Sequence, residues 1–275
     1  MIPAPFDYER AESVDHAIAL LGQHGEDAKL LAGGHSLLPL MKLRLAAPSV
    51  LVDIGRLREL SYVRSDGDRL AIGALTCHED VHRDELVSRD CPLLAEAAGQ
   101  GGDPQVRHMG TIGGSVAHSD PASDLPSVLV ALDAELVVRG PSGERTVAAG
   151  DFFKGIFDND LGQQDLLTEI RVPKTGTAGW SFQKFHPRAM DWAVVGVAAV
   201  VRDGGAAVAL TNMGETPLRA RAVEQALASG ADPASAAEQA LEGTSPPNDA
   251  LASADYRRHL AKVLVRRALE EARSR

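Results

Sequence analysis

The chain has 275 residues, with 28 Lys and Arg against 38 Asp and Glu, a formal net charge of −10. Its length exceeds one average domain, and its apolar content of 44% is that of a globular protein, which sets aside disorder, collagen-like repeats and a pure coiled coil. The acidic balance excludes a nucleic-acid binder, and two cysteines, Cys77 and Cys91, are too few for an iron–sulfur cluster or a disulfide framework.

The first residues, MIPAPFDYERAES, lack the basic and apolar regions of a secretory signal, so a cytoplasmic location is expected. Residues 14–24 place Val14, Ile18 and Leu21 on one helical face, with Ser13 as N-cap. A short apolar strand over 29–32 runs into Gly33 and Gly34, and after His35 and Ser36 the segment 37–46 reads as helix. Residues 49–54 and 69–75 read as strands, and 78–88 and 91–100 as helices. The stretch 101–124 is Gly-rich and polar, ahead of a helix at 125–132. Residues 134–148 predict a hairpin turning at Pro141-Ser142-Gly143, and 166–173 a strand closed by Pro173.

The sequence KTGTAG (174–179) is the natural linker. Three strands follow at 180–186, 193–202 and 206–212, then Ala-rich helices near 218–228 and 233–242. A last amphipathic helix, 254–273, carries Tyr256, Leu260, Leu264 and Ala268 at i+4 steps. The longest apolar run, 192–201, is shorter than the roughly 20 residues a membrane helix needs and reads as a buried strand. The pattern predicts an α+β protein: a mixed region to about residue 175, then a strand-then-helix domain.

Two loops carry the chemistry. Ala32-Gly33-Gly34-His35-Ser36 and Thr111-Ile112-Gly113-Gly114-Ser115 share a Gly-Gly-X-Ser or Gly-Gly-Ser logic. Glycines let an anion approach main-chain N–H groups, and a helix starting there adds free donors and a favourable dipole. Gly-Gly between strand and helix also serves as a plain turn, and neither loop fits G-x-G-x-x-G or G-x-x-x-x-G-K-[ST]. Residue chemistry alone leaves a phosphate site and a simple turn both open. His78 and His82 have i, i+4 spacing within His78-Glu79-Asp80-Val81-His82 and are read as a surface pair, with no metal site expected. With no G-x-S-x-G elbow either, no catalytic residue is assigned.

As longer strings the loops say more. LLAGGHSLLPLMKLRLAAPSVLVDIGRL (30–57) and QVRHMGTIGGSVAHSDPASDLP (105–126) resemble the FAD-binding medium subunit of molybdenum hydroxylases, the carbon monoxide and xanthine dehydrogenase family. WSFQKFHPRAMDWAVVGV (180–197) and SADYRRHLAKVLVRRAL (253–269) extend the resemblance over nearly the whole chain. It implies a two-lobed FAD-binding domain of the vanillyl-alcohol-oxidase (PCMH) type over 1–175, with lobes about 1–56 and 57–175. A small C-terminal domain, a three-stranded sheet with helices, would span 178–275.

By the same resemblance the pyrophosphate of FAD would be gripped by Ala32, Gly33, Gly34, His35, Ser36 and Leu37, and by Thr111, Ile112, Gly113, Gly114 and Ser115. Asp124 would face the adenosine, the main chain at Leu166 or Leu167 the flavin nucleotide, and Lys184 would compensate phosphate or flavin charge. Trp192 stands where carbon monoxide dehydrogenase-type members have a Tyr against the isoalloxazine ring; it could stack there or be plain core. Ser115 replaces the usual Asn, and Arg107-His108-Met109-Gly110 departs from Arg-Asn-x-Gly. The implied function is electron transfer within a complex. A large molybdopterin subunit and a small subunit with two [2Fe–2S] clusters would pair with this chain, as a dimer of heterotrimers. A stand-alone flavin oxidase or reductase, or an assembly subunit without FAD, are the alternatives.

Overall fold

The computed structural model describes residues 2–275. Its first unit is a parallel three-stranded sheet in the order Asp7–Arg10, Val50–Asp53, Ala28–Leu31. Helix Val14–His24 covers it, started by Ser13, whose side chain accepts from the His16 N–H. Val14, Ala17, Ile18 and Leu21 bury themselves with Val50 and Val52. The edge strand Asp7–Arg10 was not expected, because DYER is polar and mostly exposed and carries no alternation to read.

The second unit is an antiparallel five-stranded sheet, ordered Val63–Asp66, Arg69–Gly73, Leu166–Pro173, Glu135–Gly140, Gly143–Ala148. Helices from the segment 78–131 cover one face. The helix expected over 78–88 is two, His78–Arg83 and Glu85–Asp90. Asp84 leaves helical backbone between them (φ −66°, ψ 129°), and its carboxylate accepts the N–H groups of Leu86 and Val87. The Gly-rich stretch 101–124 also holds two short helices, Pro104–Arg107 and Ile112–His118. Each has a side-chain cap, Asp103 on the Val106 N–H and Thr111 on the Gly114 N–H. Glycine content hid them, since only their caps signal a helix.

The third unit is a four-stranded sheet, Gly179–Phe185, Val195–Arg202, Gly205–Thr211 and a two-residue edge Leu218–Arg219, all antiparallel. The first three strands are those expected; the short fourth takes the place of the first turn of the helix read at 218–228, which starts at Arg221. Helix Ala254–Ser274 packs on one face through Leu260, Leu264 and Ala268, while Tyr256 is exposed and meets Phe185 edge-on. The other face of the sheet does not belong to the C-terminal domain alone. Phe182, Ala198, Val200, Ala207 and Ala209 share one continuous core with Val128 and Leu129 of helix Asp124–Ala131 and with Leu70, Ile72 and Ile170 of the five-stranded sheet. No helix among the described residues is long and apolar enough to cross a membrane.

Candidate cofactor site

The two Gly-Gly loops meet. Gly33 lies so close to the start of the second loop that a Cβ there would overlap the Met109 carbonyl oxygen and come within 3.0 Å of the Gly110 Cα. The first loop turns at Gly34 (φ +72°), a conformation that costs glycine nothing. His35 Nδ1 holds the turn from 2.7 Å by bonding the Gly33 carbonyl. Helix Leu37–Lys42 follows at once, and Leu38 N–H returns to the Gly34 carbonyl. Among the described residues, the N–H groups of Gly33, Gly34, His35, Ser36 and Leu37 meet no protein acceptor. Five unused donors in a row on a partly exposed loop are free to receive an anion.

The second loop is built differently. Ile112 N–H donates to the Thr76 carbonyl, Gly113 to Ala74, and Gly114 and Ser115 to the Thr111 side chain and carbonyl. A Cβ on Gly113 would come within 2.6 Å of the Ala74 carbonyl oxygen, so this glycine serves close packing against the neighbouring strand. The loop therefore contributes hydroxyls rather than main-chain N–H groups: Thr111 Oγ1, and Ser115 Oγ at 3.1 Å from Ser123 Oγ. Beneath it His78 is buried, giving its N–H to the Gly110 carbonyl and placing Nε2 3.1 Å from the Thr111 carbonyl. Burial pushes the ring down to about 4, so it is neutral at pH 7 and Nε2 donates. The sequence suggested a surface His78/His82 pair; His82 instead turns to the Ala95 carbonyl at 2.9 Å. No cluster of three or more His, Cys, Asp or Glu able to hold a metal occurs among the described residues.

Asp124 and Lys184 come together. Lys184 Nζ lies 2.7 Å from Asp124 Oδ2 and 3.1 Å from the Gln100 carbonyl, with both side chains almost wholly buried. The cation thus neutralises a protein carboxylate across the domain boundary, where the sequence had suggested phosphate or flavin charge. Asp124 Oδ1 is buried with no partner. Burial pushes this carboxyl up to about 6, against the pull of Lys184.

Leu166 and Leu167 sit at a bulge in their strand, with side chains in two separate cores, so only their main chain can face a ligand. Trp192 is not core: it is 51% exposed in the loop before strand Val195–Arg202. Sequence reasoning missed Met109 and Gly110 as the wall against Gly33, and missed the ion pairs under it. Glu79 is buried between Arg107 at 2.8 Å and Arg83, which hold its carboxyl down at about 2. Arg107 also donates to the Gly102 carbonyl, fixing the approach to the second loop. The Asp103 cap was the one readable signal there.

Residues 4–175 match the family described as FAD binding domain in molybdopterin dehydrogenase, and residues 180–272 the CO dehydrogenase flavoprotein C-terminal domain. The chain belongs to this family of flavoprotein medium subunits of molybdopterin dehydrogenases. It is 45% identical to the carbon monoxide dehydrogenase medium chain of Hydrogenophaga pseudoflava, covering 100% of this chain and 99% of that one. A structure of carbon monoxide dehydrogenase from the same organism superposes with a TM-score of 0.97 over 100% and 99% of the two chains. The glyceraldehyde dehydrogenase medium chain of Sulfolobus acidocaldarius is 38% identical, over 98% and 99%.

FAD is accordingly the cofactor, and the chain is an oxidoreductase subunit. The residues present fit it. The first loop offers a row of open N–H donors at a glycine with no room for a Cβ, and Asp124 presents an unpartnered acceptor.

Proposed function

We propose that this chain carries FAD in a three-subunit molybdenum hydroxylase, between the [2Fe–2S] clusters of a small subunit and an external electron acceptor. The large subunit would hold molybdopterin and choose the substrate, the complex would be a dimer of heterotrimers, and its place would be the cytoplasm. The observation that carries this reading is the row of five open N–H groups between Gly33 and Leu37, in a chain matching such subunits end to end. When bound, FAD supplies redox chemistry that accepts electrons singly and gives them up singly or in pairs.

The protein's own part is to bind and orient. Ala32 to Leu37 would hold the pyrophosphate by main-chain N–H groups, with Thr111 and Ser115 hydroxyls on its other side and Ile112, Gly113 and Gly114 shaping that wall. Asp124 Oδ1 would accept a ribose hydroxyl proton, with Lys184 keeping the carboxylate charged and in place. The main chain at Leu166 or Leu167 would face the flavin nucleotide, and Trp192 would lie on its ring. The FAD domain would run over 1–175, in lobes about 1–56 and 57–175, with the closing domain over 178–275. Expression with its neighbouring genes tests the reading. A yellow complex of three subunits containing molybdenum and iron is expected. A colourless chain that rejects added FAD refutes it, and a yellow chain that purifies alone favours a stand-alone oxidase.

A further inference from the structure

The loop carrying Trp192 is exposed, yet its stem is held by buried bonds. Val194 N–H donates to the Phe185 carbonyl at 2.8 Å, closing the loop 186–193. Arg257, whose side chain is fully buried, donates Nη1 to the Val194 carbonyl and Nη2 to Asp249 at 2.6 Å. The Ala193 carbonyl, next to Trp192, accepts Nδ2 of Asn212 at 2.8 Å.

Asn212 is an unusual residue in its own right. It ends strand Gly205–Thr211 in left-handed backbone (φ +60°) and is 9% exposed. Asn tolerates that conformation better than other non-glycine residues. The conformation sends its two donors in different directions. Its side chain goes to the Trp192 loop, and its N–H goes to the Pro121 carbonyl at 2.9 Å, in the FAD domain.

Pro121 belongs to the turn that delivers Asp124. Ser123 N–H returns to the Asp120 carbonyl, Ala122 N–H goes to the Asp120 carboxylate, and Ser123 Oγ reaches Ser115 of the second Gly-Gly loop at 3.1 Å. The neighbouring Thr211 hydroxyl bonds the Ser127 hydroxyl on the helix that Asp124 begins. A continuous path, buried at Ser123 and Asn212 and half-buried at Ser115 and Pro121, therefore runs from Ser115 through Ser123 and Pro121 to Asn212, and on to the Ala193 carbonyl.

We propose that Asn212 is a positioning residue: it ties the exposed Trp192 to the turn that presents Asp124, so that the C-terminal domain sets where the aromatic ring meets the cofactor. This rests on the placement of Trp192 and Asp124 at the FAD site. Asn212 itself touches no cofactor. It acts by fixing two main-chain carbonyls, one on each side of the domain boundary, and so keeps an exposed aromatic in one place.

The test is a double-mutant cycle on the full chain, read as FAD affinity of the FAD-free protein by flavin fluorescence quenching. Asn212→Gly keeps the left-handed backbone and the N–H to Pro121 but removes the bond to Ala193. It should weaken FAD binding about tenfold, the scale of one buried hydrogen bond. Trp192→Ala should do the same, and the double variant should bind no more weakly than Trp192→Ala alone. Unchanged affinity in Asn212→Gly overturns the proposal, as do losses that multiply in the double variant, because Asn212 then acts independently of Trp192. Should Asn212→Gly not fold, Asn212→Asp takes its place in the cycle; it keeps the N–H but sets a carboxylate against the Ala193 carbonyl. Failure of both to fold assigns Asn212 to the scaffold and overturns the proposal. A weakened Trp192→Ala beside a normal Asn212→Gly leaves the function reading standing, whereas a wild-type chain that binds no FAD removes both.

Discussion

At the scale of single residues, Gly33 and Asp124 do opposite kinds of work. Gly33 is needed for what it lacks, because any Cβ would strike the Met109 carbonyl. Gly33→Val should therefore part the two loops, costing about 1–3 kcal/mol of stability and removing FAD binding. Denaturant melts and flavin absorbance of the purified variant check both, and a variant that stays yellow rejects the close-approach argument. Asp124 is needed for a carboxylate that burial opposes. Its folded-state value of about 6 lies above the ordinary 3.8, so the protonated form is the better tolerated one. Its contribution to stability is fully present below about pH 4 and is lost as pH rises through about 6. Buried His78 runs the other way: depressed to about 4, it contributes above about pH 6.5 and loses that contribution on acidification. The wild-type profile alone would mix the two, so the useful quantity is the stability of the FAD-free wild type minus that of Asp124→Asn. This difference should fall by about 3 kcal/mol from pH 3 to pH 7, read by urea unfolding; a flat difference would mean the carboxyl is not desolvated as described. Both Gly-Gly loops and Asp124 could be found in the sequence by their motifs. The Lys184–Asp124 pair could not, because the two are 60 residues apart and only the fold aligns them.

At the scale of elements, regular patterns were legible and capped fragments were not. Helix Val14–His24, the hairpin across Gly140–Gly143 and the three long C-terminal strands follow from periodicity and turn residues. The polar edge strand Asp7–Arg10 and the short helices inside 101–124 did not, since neither presents an apolar repeat to read. One element contact is set by a single atom. Strand Gly179–Phe185 meets the end of helix Ala254–Ser274 where a Cβ on Gly179 would run into the Ala272 carbonyl. Gly179→Ala should lift the helix terminus and lower stability by about 1–3 kcal/mol. Its effect on FAD affinity should be small, because Lys184 lies five residues further along the strand. Thermal melting and FAD titration of the same sample separate the two effects, and an unchanged melting temperature would show that the terminus gives way freely.

At the scale of the whole molecule, two sequence families occupy one hydrophobic interior. The linker 174–179 looks like a boundary by composition, yet Phe182, Ala198, Val200, Ala207 and Ala209 from beyond it complete the core that contains Leu129 and Ile170. A fragment ending at residue 175 should expose that face and aggregate when expressed; a soluble fragment with a cooperative melt would contradict the shared core. Gly and Thr mark a boundary by composition, whereas the shared core was not legible, because a strand buried on both faces carries no periodicity that names its neighbours. The burial that joins the domains has a chemical consequence for the two thiols. Cys91 is wholly inside the main core, where burial pushes its thiol up to about 12, and burial raises Cys77 as well. Peroxide and disulfide reagents attack thiolates, and at neutral pH this chain presents almost none. Burial thus lowers the thiolate fraction at both positions, and with it the rate at which sulfenic and sulfinic acids can form there.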